Sequence, residues 1–109
     1  MLDGRVIRGI DLNAQSFRNA FNKLPSDAQK QALERIKVLM GLPLDEIPAG
    51  FHFHQLKNRQ VNSRVDPKTK VNAWTFHLTA DDKWKASFTY ESGTLYFRIC
   101  GEHSIDKNP

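Results

Sequence analysis

With only one cysteine, Cys100, the chain has no intramolecular disulfide framework, which fits a reducing compartment. No apolar run approaches the length that spans a bilayer, and the N-terminus lacks the apolar core of a signal peptide. These absences lead us to expect a cytoplasmic protein with no membrane partner. Internal repeats, low-complexity tracts and composition breaks are also missing. Residues 1–109 therefore read as a single domain, long enough to bury a core without disulfides or metal. Acid is the scarcer charge, with 12 Asp and Glu against 16 Lys and Arg, a formal +4. Positive excess attracts nucleic acid, acidic proteins and anionic lipid alike, so the sign alone names no partner.

Periodicity supplies the elements. Val6, Ile7 and Ile10 suggest a short strand within Arg5–Ile10. Phe17, Ala20, Phe21 and Leu24 recur at helical spacing and predict a helix over Asn13–Leu24. Pro25-Ser26 closes it and opens a second helix over Ser26–Met40, with Ala32, Leu33, Ile36, Leu39 and Met40 as its apolar stripe and Ser26 with Gln29 as a capping box. Gly41 and Pro43 end it. Phe51–Leu56 is a short extended segment with His52 and His54 on one face. Asp66-Pro67-Lys68-Thr69 reads as a type I turn, folding Val61–Val65 onto Val71–Thr75 as a protruding hairpin.

The last third alternates with period two across three strands, with turns at Asp81-Asp82 and Ser92-Gly93. One face carries Trp74, Phe76, Leu78, Trp84, Ala86, Phe88, Leu95, Phe97 and Ile99; the two helices should cover it. The other collects His77, Lys83, Lys85, Tyr96 and Arg98, groups able to bind a phosphodiester and move its protons, with Cys100 as a small filler. The expected fold is α+β, order β-α-α-β-β-β, a helical hairpin on one face of a small antiparallel sheet.

Four residues of one kind stand out: His52, His54, His77 and His103. An ordinary imidazole titrates near pH ~6.5, so a histidine exchanges protons close to neutrality. With Cys100 they offer enough donors for a metal but lack the tight spacing of a metal motif, so neither metal nor cofactor is expected. Lys57, Arg59, Arg64, Lys68 and Lys70 form a basic run facing a single acid, Asp66. It is either a solvated loop or an arm that tracks phosphates. Trp74 and Trp84 read as core, which leaves Tyr96 as the base-stacking candidate.

The helical hairpin, followed in order by H-Q-L-K-N, F-H-L-T-A-D-D-K-W and T-L-Y-F-R-I-C-G-E-H-S, resembles the RelE/ParE superfamily of bacterial toxin–antitoxin toxins. It is most similar to the YafQ group of ribosome-dependent mRNA endonucleases. That group carries H-x-L-K-G, C-H-I-x-P-D-W and a closing G-x-H-S. On these motifs His54, His77, Asp81 and His103 take the positions of the group's histidines and aspartate. The chain departs from the pattern in three places: Asn58 stands for the glycine, the turn after His77 is two residues longer, and Arg98 precedes His103 by five residues instead of four. In a regular strand that last offset would turn the arginine to the other face, so either a bulge or a different role is expected.

The resemblance implies cleavage by a ribose 2′-hydroxyl, without metal. His103 would be the acid, and His54 or His77 with Asp81 the base. Arg98 with Lys57 or Lys85 would stabilise the charge, and Arg59, Arg64, Lys68, Lys70 and Tyr96 would bind RNA. The implied partners are a cognate acidic antitoxin and mRNA on the ribosome. A gyrase-inhibiting toxin of the same superfamily, or a non-enzymatic nucleic-acid-binding module, is the alternative.

Overall fold

A computed structural model describes residues 5–109; residues 1–4, which the single-domain reading includes, lie outside it. The elements are β1 (Gly9–Asp11), α1 (Gln15–Asn22), α2 (Ser26–Leu39), β2 (His54–Asn62), β3 (Lys70–His77), β4 (Lys85–Glu91) and β5 (Thr94–Gly101). Short 3₁₀ turns lie at Leu44–Glu46, Ala49–Phe51 and His103–Lys107. The fold is α+β: two helices against a five-stranded sheet of order β1-β5-β4-β3-β2. No helix among the described residues is long and apolar enough to cross a membrane.

The sheet is mixed, not antiparallel as expected, because β1 pairs parallel with β5 while every other pair is antiparallel. The helical pair carries the chain away from β1, and the meander returns so that its last strand lies beside the first. β1 is also shorter and later than predicted; Val6 makes only an isolated bridge to Pro43.

Both helices form where the apolar stripes place them. α1 buries Phe17, and α2 buries Ala28, Ala32, Ile36 and Leu39. Leu33 and Met40, expected inside, are about half exposed, since the buried row follows positions 28, 32, 36 and 39 instead. The capping box does not form. Pro25 occupies the cap position, and the Gln29 amide donates to the carbonyls of Leu24 and Asn22, tying the end of α1 to the start of α2. The helices close over Phe76, Leu78, Ala86, Phe88, Leu95 and Phe97, as the alternation required. Phe97 is fully buried and meets Phe17, Phe76 and Phe88 ring to ring.

A bulge changes the faces of β5. Phe88 pairs with Phe97, yet Ser87 pairs with Ile99, so Arg98 is an extra residue in its strand. Beyond it the alternation inverts. Cys100 turns into the core opposite Ala86, and Ile99 joins Thr75 and Ser87 on the other face, the reverse of the expected placement. A second irregularity lies in β2, where Leu56–Arg59 bow out between Gln55 and Gln60 opposite Ala73 alone. Asn58 takes φ 55 at its crest. Asparagine tolerates this left-handed conformation better than most non-glycine residues.

The polar sheet face is covered. The Asp66 turn forms, closed by the Thr69 amide on the Asp66 carbonyl, but the strand pairing of the hairpin ends at Asn62 opposite Lys70 and does not extend over the whole of Val61–Val65. Its shoulder is drawn back to Glu91, which accepts from the Ser63 hydroxyl and the Arg64 amide. At the other end the 3₁₀ turn His103–Lys107 folds onto β4 and β5, burying Ile105. Thr75, Ser87 and Thr89 are thereby sealed from solvent.

Candidate active site

Three chain segments meet where β3 ends. β3 delivers His77, which is only 8% exposed. The following turn delivers Asp82 at φ 60, and the segment before β2 delivers His52 at φ 50. The chain leaving β5 adds His103. His77 Nδ1 lies 2.7 Å from Asp82 Oδ1. The His52 ring stacks on His77 with centroids 4.3 Å apart, and its Nε2 is 3.8 Å from the same carboxylate oxygen. The His103 ring stands edge-on to His77 at 5.5 Å and donates from Nε2 to the Asp82 carbonyl at 2.8 Å.

Arg35 holds this corner together from α2. Its guanidinium donates to the His77 carbonyl at 2.9 Å and the Gly50 carbonyl at 3.4 Å. It also lies over the Phe51 ring at 4.6 Å, fixing the turn that carries His52.

These contacts settle the protons. Burial pushes the His77 pKa down; the hydrogen bond to Asp82 and its charge oppose this, while the electrostatic influence of His52 and Lys85 adds to the lowering. His77 is therefore neutral at neutral pH. The hydrogen bond from His77, followed by burial acting the other way, leaves Asp82 below the ordinary carboxylate range. An ionised carboxylate only accepts, so Nδ1 carries the proton and Nε2 of His77 is left with a free lone pair. The group is a base oriented by an acid, with a second imidazole beside it.

Several residues singled out by sequence fall elsewhere. Asp81 accepts from the Thr79 hydroxyl and the Lys83 amide within its own turn, and the Thr79 bond is the first cause of its lowered pKa. The carboxylate that reaches His77 is Asp82. His54 begins β2, exposed, with Nδ1 on the His52 carbonyl at 2.8 Å, so the two histidines do not share a strand face. It is His52 that stacks on His77. Lys85 pairs with His77 in register but is buried, its ammonium 2.6 Å from Asp106. Lys83 lies outside β4, over the Trp84 ring.

Arg98 donates to the carbonyls of Asn62 and Pro109, joining the hairpin shoulder to the C-terminal segment. Burial, then the charge of Arg64, lowers its pKa. Arg64 covers the Tyr96 ring at 5.6 Å, and Arg59 donates to the Asp106 carbonyl. Lys57, Lys68 and Lys70 are exposed along the hairpin.

Sequence reasoning missed Asp82 and Arg35, and of the two histidines His52 and His54 it gave the motif position to His54. Asp82 was legible only as the second of two adjacent aspartates, and Arg35 only as a charge on a helix. Comparison with family models, with curated proteins and with solved structures finds no match for this chain.

Proposed function

We propose that this chain is the toxin of a bacterial toxin–antitoxin system, of the RelE/ParE kind and closest to the YafQ group, and that it cleaves mRNA on the ribosome. The observation that carries the reading is the meeting of His77, Asp82 and His103 at one end of the sheet. Three departures from the family motifs also find physical accounts. Asn58 supplies the left-handed residue where the motif has glycine. The bulge at Arg98 takes up the extra residue before His103. The longer turn after His77 brings the second aspartate, not the first, to the imidazole.

In this reading His77 Nε2 takes the proton of the 2′-hydroxyl as that oxygen attacks its own 3′-phosphate. The bond from phosphorus to the 5′-oxygen breaks, and protonated His103 gives that oxygen a proton. The products are a 2′,3′-cyclic phosphate and a 5′-hydroxyl. Asp82 holds His77 in the required tautomer and stabilises the imidazolium that forms. General acid–base catalysis contributes typically about 10²–10⁴-fold. Positioning of the message by the ribosome supplies a further large factor. Exposed Lys57, Lys68 and Lys70 track phosphates, and an acidic antitoxin is the partner in the cytoplasm.

The test is regulated expression in a bacterial host, mapping mRNA 5′ ends and gyrase-dependent DNA breaks in the same cells. New mRNA ends that vanish in His77→Ala and His103→Ala support the nuclease. Growth arrest with DNA breaks and intact mRNA replaces it with the gyrase-inhibiting reading, in which the histidines have no chemical task.

A further inference from the structure

His52 stacks on His77 and faces Asp82 but has no part in the acid–base reading. We infer that His52, His77 and Asp82 form a binding site for a divalent transition-metal ion of the zinc class. One donor atom from each residue lies within 4.8 Å of the other two. In a tetrahedral site with bonds of about 2.0–2.1 Å, neighbouring donors stand about 3.3 Å apart. Two of the three separations bracket that spacing, 2.7 Å from His77 Nδ1 to Asp82 Oδ1 and 3.8 Å from His52 Nε2 to the same oxygen, and the third, between the imidazoles, is within 4.8 Å. Rotation of the His52 and Asp82 side chains is what would bring all three to it. His52 and Asp82 are each about half exposed, while His77 is nearly buried in its strand.

The donor set selects the ion. Two imidazoles and one carboxylate suit Zn²⁺, Co²⁺, Ni²⁺ or Cu²⁺. Magnesium and calcium require mostly oxygen ligands, and this site offers one carboxylate. Three protein ligands leave a fourth position open to solvent, the pattern of an exchangeable ion and not of a closed structural site. The surroundings orient the ligands: Arg35 holds the His77 carbonyl and the turn before His52, and His103 holds the Asp82 carbonyl. The ion takes the place of the proton between His77 Nδ1 and Asp82, and that proton moves to Nε2 of the ring.

Occupancy also has a chemical consequence, which rests on the proposed function. A neutral imidazole bound to metal through Nδ1 carries its proton on Nε2, so His77 can no longer act as the base. The ion therefore inhibits cleavage.

The experiment uses untagged, chelator-washed protein titrated with Co²⁺, whose visible d–d absorption reports bound metal and its geometry, followed by displacement with Zn²⁺. One equivalent should bind saturably. His52→Ala and Asp82→Asn should each weaken binding by at least about tenfold, and His54→Ala should leave it unchanged. Both altered side chains are half exposed, and circular dichroism verifies that each variant is folded. No saturable Co²⁺ spectrum up to about 1 mM, or unchanged affinity in both variants, overturns the site. Cleavage by wild-type protein that continues at full Zn²⁺ occupancy overturns the inhibition. A metal-free wild type that cleaves no mRNA sinks the nuclease reading and leaves the Co²⁺ result standing.

Discussion

Replacing Asp82 by Asn separates the orientation of His77 from its mere presence. The side chain keeps its size, and its position is half exposed, so the fold should survive. What changes is the hydrogen bond at 2.7 Å. Asp82 can only accept, which places the His77 proton on Nδ1. An asparagine amide can turn its NH₂ toward Nδ1, and the proton then moves to Nε2, removing the lone pair that takes the 2′-hydroxyl proton. The loss should approach the full contribution of a general base, roughly 10²–10⁴-fold, under single-turnover conditions on purified ribosomes with saturating enzyme. Nitrogen-15 NMR of the His77 ring should show the exchange of tautomers directly. Asp81→Asn, whose partners are Thr79 and Lys83 of its own turn, should lower the melting temperature and leave the cleavage step near wild type. The reasoning is refuted if Asp82→Asn cleaves at the wild-type rate, or if the loss appears in Asp81→Asn instead.

Phe97→Ala should cost about 3–5 kcal/mol in urea unfolding, because the ring is fully buried among three other aromatic rings. Asp106→Ala strands the buried Lys85 ammonium and should cost about 3 kcal/mol, the low end for a broken buried pair because Asp106 is partly exposed. Lys85→Met combined with Asp106→Ala should recover much of that loss, and an additive double-mutant cycle would deny the coupling. Burial opposes ionisation of Glu91, but bonds from Ser63, Arg64 and Thr89 outweigh it and hold the pKa below the ordinary 4.5. Its contribution to stability is therefore complete above pH 4.5 and is lost as pH falls through the lower folded value. Glu91→Gln should flatten the acid limb of stability against pH, and an unchanged limb counts against the assignment. Joint reversal of Lys57, Lys68 and Lys70 should weaken ribosome association and shallow its salt dependence by nearly one unit per lost phosphate contact, roughly; an unchanged slope makes the hairpin charges mere solvation.

The sequence by itself determined the parts whose signal is local. The stripe at Phe17, Ala20, Phe21 and Leu24 produced α1, and the alternation through Trp74, Phe76 and Leu78 assigned the core face, because side-chain direction repeats every 3.6 or two residues. Ser92-Gly93 marked its own hairpin, both residues taking positive φ. Tertiary structure decided whatever depends on counting across an irregularity or on distant partners. One extra residue at Arg98 exchanged the faces of Ile99 and Cys100; the motif offset before His103 left a bulge as one of two options, and only the strand register decided between them. The parallel pairing of β1 with β5 joins the two ends of the described chain. The same holds at the candidate site. His54 and His52 are chemically identical, as are Asp81 and Asp82, and motif order favoured the first of each pair. The left-handed backbone at His52 and Asp82 turned the second of each toward His77. Residue type sets which chemistry a side chain can perform, but only the folded backbone sets its neighbours.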